Sequence, residues 1–346
     1  MAILFDAPVR PGELTWFTRE VPVSGENSLL TEAPAKNLQS NTVNFAEIVK
    51  RNRTARYRSF DGRVHVSERD SGSTANVGLI PLSTSSNMGE YERLQLEFAK
   101  TQGTNTLALA NSIYDDATQL TREVQARLEQ AWGDVLTDGK LTVNENGLVG
   151  FEADFGVPAD HIVTASTPWS NTTTATALTD YILWADKYRT TNGVAAGLAK
   201  TSQKIIRLFL RNAEVIAAVY GAAAGRTTAK LTDVNDYLLG EGLPVLGEAY
   251  DTQVDVDGTL TRTIPDNRIV FRPTNFADLG YTAWGVSATA LELVNSAQVD
   301  LSFEQAAGIV GVVVKSEGVP FRQFTYVDAV AIPILSDAKR LLVATV

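Results

Sequence analysis

The sequence predicts an α+β fold, because a long helical pattern is followed by short helices that interleave with strands. The chain has 346 residues, 44% of them hydrophobic, which is enough to bury a sizeable core in two lobes. Three observations carry the prediction. They are an amphipathic stretch over residues 104–136, turn and strand signals after it, and buried strand patterns near the C-terminus.

The stretch 104–136 is the strongest of these signals, because its apolar residues recur every three or four positions and no Gly or Pro precedes Gly133. At 1.5 Å per residue, such a helix measures roughly 50 Å. No second long amphipathic helix is available as a coiled-coil partner, so we expect it to lie across a sheet as a spine. Glu123, Arg127 and Glu129 are expected on its outer face, with Glu123 four residues before Arg127 in the favourable order.

Residues 1–53 contain four prolines and show no sustained period, apart from a possible short helix over 44–51. We expect an extended arm that is ordered only by lying on another surface.

Residues 54–100 alternate in two runs, one around the hairpin dipeptide Asp61-Gly62 and one through Leu94, Leu96 and Phe98. A long polar hairpin is marginally stable alone. It is therefore expected to rest on its own body or on another subunit.

The stretch 50–69 holds seven basic residues and two acidic ones. One interpretation is a phosphate-binding patch. The other is a strand whose arginines meet acidic residues on a second copy of the chain. The second is favoured, because the net charge of -10 supplies many such acids and opposes attraction to nucleic acid or to an anionic membrane.

The remainder of the chain alternates helix and strand signals. A hairpin is expected at Asp257-Gly258, and the last strand pattern is interrupted by Pro333 before an apolar end over 341–346 that should join a sheet. Helices are predicted over residues 174–189, 201–212, 213–220 and 231–239.

The sequence contains few residues or motifs that are typical of catalytic, cofactor or metal sites. There are no cysteines, only His65 and His161, no run of 18 apolar residues, and no signal-peptide pattern at the start. The segment 221–227 lacks the lysine and the spacing of a phosphate loop, and 255–258 lacks the distal Glu of a calcium loop. We therefore expect no enzyme, no cofactor and no metal site.

Residues 265–346 contain several segments that are similar to a known protein family. The segments PDNRIVF, TAWGVSATALELVNS and GIVGVVVKSEGVPFRQFTYVDAVAIPILSDAKRLLVATV resemble the C-terminal part of tailed-phage major capsid proteins of the lambda E type. The segments TDGKLTVNENGLVGFEADFGVP and TDYILWAD are also similar, so the likeness covers roughly residues 100–346. It implies the Hong Kong 97-type capsid fold, divided into an N-terminal arm (1–53), an extended loop (54–100), a peripheral domain (101–170) with the spine helix 104–136, an axial domain (171–299) and a return to the peripheral domain (300–346).

The resemblance also implies a function. The chain would be the major capsid protein of a tailed double-stranded DNA phage, assembling in the host bacterial cytoplasm into pentamers and hexamers of an icosahedral virion shell. Its partners would be other copies of itself, scaffolding, portal and decoration proteins, and the packaged DNA, without a membrane. Candidates for salt bridges between subunits are Arg56, Arg58, Arg63 and Arg69.

Some relatives lock their shells with a covalent bond between a lysine of the extended loop and an asparagine. Here Lys50 and Lys100 bracket the loop and no lysine lies between them, so a non-covalent shell is expected. Two other functions remain open: an encapsulin-like cellular nanocompartment shell, and a nucleic-acid-binding protein that uses residues 50–69.

Overall fold

The computed structural model describes residues 2–5, 7–46, 74–89, 91, 94, 95, 98, 108–145, 148–222, 225–256, 258–315 and 322–346. Its helices are α1 (Pro11–Glu20), α2 (Ser28–Glu32), α3 (Ala108–Asp138), α4 (Ala177–Asn192), α5 (Gln203–Arg211), α6 (Ala213–Tyr220), α7 (Leu231–Gly240) and α8 (Ala288–Val294). Its strands are β1 (Ala2–Ile3), β2 (Ala35–Asn37), β3 (Thr42–Ala46), β4 (Thr74–Gly78), β5 (Ile80–Met88), β6 (Lys140–Glu145), β7 (Leu148–Asp154), β8 (Ile162–Thr164), β9 (Leu198–Thr201), β10 (Val245–Leu246), β11 (Gln253–Val256), β12 (Thr259–Arg262), β13 (Arg268–Arg272), β14 (Gly280–Trp284), β15 (Val310–Lys315), β16 (Gln323–Leu335) and β17 (Leu342–Thr345).

Helix α3 lies across a six-stranded sheet, as the sequence predicts. The sheet runs β1-β15-β16-β14-β2, and β5 also pairs with the long strand β16. The apolar stripe of α3, including Leu120, Val124 and Leu128, is buried in the core shared with β16 and β5. The predicted residues 104–107 lie outside the described residues, and the helix continues past 136 to Asp138.

Helix α3 continues through Gly133. This glycine is explained by close packing against the chain segment at Thr263. A Cβ at this position would overlap the backbone of Thr263, so only glycine lets the segment after β12 pass this close to the helix. At the preceding residue, the indole Nε1 of Trp132 donates to Thr282 Oγ1 at 2.9 Å, which joins the helix to β14.

A five-stranded sheet, β10-β9-β13-β17-β8, separates two cores. On β13, Ile269 and Phe271 pack with α4–α7, while Val270 between them packs into the α3 core. On β17, Leu342 packs with α4–α7 and Val343 packs into the α3 core. Because both faces of these strands are buried, their sequences are continuous apolar runs.

Helices α4–α7 enclose the second core, and their bounds agree with the predicted helices to within three residues. Its centre is aromatic: Trp169 stacks on Trp184 with ring centroids 5.7 Å apart, and Tyr181 contacts both Phe209 and Phe271. The buried hydroxyl of Tyr181 donates to Pro244 O at 2.7 Å, so this phenol is paired inside the core.

The expectation that Pro333 breaks the last strand pattern is wrong. Pro333 lies inside β16, opposite Thr282, whose own backbone N–H donates to Pro34 O on the far side of β14. The pair therefore needs no hydrogen bond from residue 333. On the other side of β16, β5 has already ended at the pair Ala331–Ile80, so the missing N–H of proline costs little. The expected pairing of the C-terminal strand is confirmed, since β17 lies between β13 and β8.

The N-terminal segment is not an extended chain in its described part. Residues 11–20 and 28–32 are helices, and residues 42–46 are strand, so the described part of the possible helix 44–51, residues 44–46, is not helical. Helix α1 packs on β15, with Leu14 fully buried, and α2 packs on α3. These helices were missed because each shows at most three turns of apolar period, too few to separate from coil among prolines.

The extended-loop region also differs from the expected hairpin. The observed ladder joins β3 to β4, from the pair Thr42–Gly78 to the pair Ala46–Thr74. Strand β5 belongs to the main sheet, and the described residues 91, 94, 95 and 98 are helical, although residues 94–98 alternate in sequence. The dipeptide Asp61-Gly62 lies outside the described residues.

The pairing also crosses the predicted domain limits near the C-terminus. Strand β14 and helix α8, expected in the axial domain, pack with the six-stranded sheet, and β17, expected in the peripheral domain, completes the five-stranded sheet. The pairings show that each sheet draws on distant parts of the chain, and the assignment of ranges to a peripheral and an axial domain stays a prediction.

Candidate interaction surfaces

The predicted contact residues Arg56, Arg58, Arg63 and Arg69 lie outside the described residues, so their role stays a prediction. What the structure describes is the base of the segment that carries them. Asn41, next to β3, exchanges hydrogen bonds with both backbone groups of Val286, at 2.9 and 3.0 Å, and accepts from Leu79 N. The ladder is thus anchored at the Thr42–Gly78 end, and its Ala46–Thr74 end is farthest from the anchor.

Glu129 holds helix α2 against α3. The sequence predicts an exposed side chain, which is wrong: Glu129 is fully buried. Its carboxylate accepts from Leu29 N at 3.0 Å, Leu30 N at 2.7 Å and the hydroxyl of Tyr250 at 2.6 Å. Burial raises the pKa of Glu129, opposed by these hydrogen bonds. The carboxylate therefore takes the place of an N-terminal cap for α2 from a distant part of the chain.

Two cations extend this cluster to the second sheet. Lys200 Nζ lies 2.8 Å from a carboxylate oxygen of Glu32 and 3.0 Å from Ser28 Oγ, and Arg272 pairs with the other oxygen of Glu32. Burial lowers the pKa values of Lys200 and Arg272, against the opposing effect of Glu32. Together with Glu129 the cluster holds two acidic and two basic groups, so α2 is fixed to helix α3 and to the five-stranded sheet without net buried charge.

Sequence reasoning missed this cluster, although a signal was available. Lys200 is the single cation of LAKT, and Arg272 is the second cation of RIVFR, after Arg268; both strands otherwise read as buried. A charge in such a strand predicts a buried partner, but only the fold shows that the partner is Glu32.

The exposed charges on α3 pair differently from the sequence prediction. Glu123 accepts from Thr84 Oγ1 at 2.8 Å, and Arg127 pairs with Glu145 of β6 at 2.5 Å. The predicted pair Glu123–Arg127 is therefore replaced by contacts to the strands on either side of the helix.

Several large apolar side chains are exposed on a single copy. Tyr91, Leu94 and Phe98 lie at helical spacing, with Tyr91 76% and Phe98 58% exposed. In the second lobe Leu183 and Leu239 are each about 60% exposed. The three side chains at helical spacing share one helix face, and an exposed apolar face favours contact with another protein.

His161 and Gly221, which were considered as candidate functional residues in the sequence, have roles in the fold. His161 is buried, with its ring nitrogens 2.8 Å from Leu341 O and 3.0 Å from Thr191 Oγ1. Gly221 ends α6 at a φ of 85°, as a helix terminus requires. The hairpin expected at Asp257-Gly258 is the β11–β12 pair, while His65 lies outside the described residues.

Within the described ranges no group of three or more His, Asp or Glu side chains is arranged to hold a metal. Among the same residues no helix is long and apolar enough to cross a membrane.

Comparison with known proteins assigns the family. The model of phage major capsid protein E matches residues 26–305, more than half of the chain. The chain belongs to the phage major capsid protein E family. A search of curated proteins gives no match.

Solved structures support the fold. A protein described as a prophage capsid protein, from E. coli CFT073, has a TM-score of 0.62 at 15% identity, with 96% of each chain covered. A phage-related protein from Bordetella bronchiseptica RB50 has a TM-score of 0.51 at 12% identity, covering 100% of this chain and 98% of that one. The predicted α+β class and Hong Kong 97-type capsid fold are confirmed.

The family also establishes the general function. The chain is a structural protein of a bacteriophage capsid, which places it in the virion shell. The encapsulin-like alternative is less well supported, because the matching family consists of phage capsid proteins.

Proposed function

We propose that this protein is the major capsid protein of a tailed double-stranded DNA phage and assembles into pentamers and hexamers of an icosahedral shell. The observation that carries this proposal is the family match over residues 26–305. Portal, scaffolding and decoration proteins would be its partners, the genome would be packaged without sequence-specific contacts, and assembly would take place in the host bacterial cytoplasm.

We propose that the two lobes built around the two cores take different places in the capsomer. The six-stranded sheet with α3 would form the peripheral part, and the lobe of α4–α7 the axial part near the capsomer centre. The exposed Leu183 and Leu239 in that lobe are the apolar contacts that a ring of identical subunits would bury. Weak single contacts suffice, because repetition over many copies supplies avidity.

The arginines Arg56, Arg58, Arg63 and Arg69 are proposed to form salt bridges between subunits, and the shell to be held without a covalent crosslink from this loop. Replacing Arg58 or Arg63 by Glu should reduce both assembly yield and shell stability. Unchanged yield and stability in both variants would contradict that role.

Electron microscopy and sedimentation velocity of the purified protein test the main proposal. We expect closed shells, tubes, or rings with five- and six-fold symmetry. A monomer that persists when the protein is coexpressed with neighbouring phage genes would contradict shell formation. Salt-sensitive DNA binding by isolated subunits at physiological ionic strength would favour the nucleic-acid-binding alternative instead.

A further inference from the structure

The two strands of the β11–β12 hairpin have different surroundings. Residues 253–256 of β11 line a groove of about 960 Å³ together with residues of α3, β5 and β6. Residues 259–262 of β12 do not line this groove. Within the described part of the chain β12 pairs only with β11, so the second edge of β12 has no strand beside it.

The register of the hairpin shows which backbone groups lie on this free edge. Thr263 N donates to Thr252 O at 3.2 Å, which identifies these two residues as a hydrogen-bonded pair. Because hydrogen-bonded and other pairs alternate along an antiparallel ladder, every second residue counted back from Thr263 is bonded to β11. The N–H and C=O groups of Leu260 and Arg262 therefore point away from β11.

The free edge of β12 lacks the features that usually keep an edge strand from pairing. Among the described residues, no backbone hydrogen bond joins Leu260 or Arg262 to another element. Residues 259–261 are uncharged and exposed on both faces of the strand, and Leu260 is 70% exposed. Arg262 is already paired with Asp251 of its own chain, at 2.7 Å. Edge strands that stay single are normally protected by charged side chains or proline, and this one is not.

The β6–β7 hairpin provides a comparison within the same molecule. Lys140 pairs with Glu152 and Asp154 at 2.9 and 3.0 Å, and Glu145 pairs with Arg127. These charges are partly exposed, and an added strand would remove them from water at a cost in free energy. Of the two hairpins, β11–β12 is therefore the better site for strand addition.

We propose that the free edge of β12 pairs with the same edge of a second copy, antiparallel and across a two-fold axis at Leu260. The two hairpins would then form one four-stranded sheet, with the two β12 strands at its centre. Such a contact is isologous, as a two-fold axis requires. The inference rests on the proposed icosahedral shell, because the two-fold axes of a shell bring two copies face to face.

The side chains of β12 are complementary to themselves in this arrangement. Each exposed Leu260 lies opposite its counterpart in the second copy, so both lose apolar surface to water. Thr259 lies opposite Thr261 of the other copy, and this pair occurs twice; cross-strand threonine pairs stabilise a sheet. Arg262 lies opposite Gly258, which has no side chain to obstruct it.

The charge of the chain also favours this edge as a contact between copies. The net charge is -10, so two copies repel each other wherever acidic side chains meet. The acidic residue nearest to the axis on the Leu260 face is Asp255, its neighbour in β11. The two copies of Asp255 would be three strand spacings apart, about 14 Å, which exceeds the screening length of about 8 Å at physiological salt.

A charge-swap experiment tests whether Leu260 faces itself. Leu260→Lys and Leu260→Glu each place like charges opposite each other, so each variant alone should need about tenfold more subunit than wild type for half-assembly. An equimolar mixture places lysine opposite glutamate and should assemble at a concentration within about threefold of wild type. Urea midpoints of the single subunits should match wild type, because the side chain is exposed. A mixture no better than its components, or wild-type assembly by each variant alone, would overturn the proposal.

A proline variant tests the backbone pairing. The N–H of Leu260 has no partner among the described residues, so Leu260→Pro removes a hydrogen bond from the contact between copies and not from the hairpin. We expect about a tenfold rise in the subunit concentration for half-assembly. Leu260→Val keeps the N–H and an apolar side chain, and should stay within about twofold of wild type. Equal assembly of the two variants would overturn strand pairing at this edge.

A crosslinking experiment tests the distance across the axis. Because the chain has no cysteine, Leu260→Cys supplies a single thiol. Residues of a hydrogen-bonded pair have Cα atoms about 5.5 Å apart, within reach of a short bifunctional thiol reagent. We expect crosslinked dimers in assembled shells and few in dilute subunits, since so small a contact depends on repetition. Glu292→Cys, at an exposed position of α8, is the control and should give no dimer.

The outcomes separate this inference from the proposed function. Shells that form without a crosslink at residue 260, or with as many dimers from the control, would overturn the pairing of β12 and leave shell formation intact. Failure of the wild-type protein to form shells or rings would instead contradict the proposed function itself.

Discussion

Two groups of charged residues differ in how completely they are paired within one chain: the buried cluster around Glu129, and the acidic residues of the groove that α3, β5, β6 and β11 line. Around Glu129 and Lys200, each charge meets hydrogen-bond donors or a counter-charge in the same subunit. In the groove beside β5, Glu26 and Asp255 have no such partner among the described residues. The first group therefore stabilises the fold, and the second leaves charge available for another molecule.

The largest effect should come from Glu129→Ala. It removes the acceptor of two buried backbone N–H groups and of the Tyr250 hydroxyl, and we expect the free energy of unfolding to fall by about 3–5 kcal/mol. Urea denaturation of the full-length subunit measures it. Glu123→Ala, on the exposed face of the same helix, is the control, and equal losses in both variants would contradict the comparison.

Lys200→Met should have a smaller effect, because Glu32 keeps its contact with Arg272. We expect a loss of about 2 kcal/mol in unfolding free energy. Hydrogen exchange should also become faster in α2, where the Ser28 and Glu32 contacts of Lys200 are lost. Unchanged protection of residues 28–32 would show that Lys200 does not hold this helix.

Glu145→Gln should cost less than about 1 kcal/mol, because its pair with Arg127 is partly exposed and is screened by salt. Thermal denaturation at low and high salt would measure the difference. A loss as large as that of Lys200→Met would mean that the groove charges contribute to the fold as much as the buried cluster does.

The smallest effect on the subunit is expected for Glu26→Lys/Asp255→Lys, whose unfolding free energy should stay within about 0.5 kcal/mol of wild type. The same variant is expected to impair assembly. A stable subunit that assembles poorly would show that these acidic residues act in assembly and not in folding. A destabilised subunit would contradict the distinction between the two groups of charges.

Local patterns predicted much of the fold because they depend on nearby residues alone. The α3 stripe, helices α4–α7 and the β15 run each have a period long enough to be recognised. Helix α1 and the helical residues near 94 were not predicted, because short segments of mixed period do not distinguish helix from strand. The end of α3 moved by two residues, within the usual uncertainty of helix termini.

The candidate site was less predictable. The seven cations of residues 50–69 are visible in the sequence, but the groove is built from β5, β6, β11 and α3, which are far apart along the chain. No local pattern contains the information that three strand edges meet, because each strand was recognised by its own alternation and not by its neighbours.

The sequence by itself determined the α+β class, the spine helix, most later helices and the resemblance to phage capsid proteins, since these depend on periodicity and local motifs. Only the tertiary structure decided that Glu129 is buried, that Pro333 is tolerated inside β16, and that β17 separates two cores. Burial and pairing depend on residues far away in sequence, 100 positions in the case of Glu129 and Leu29, so the burial of a charged side chain is set only when the chain has folded around it.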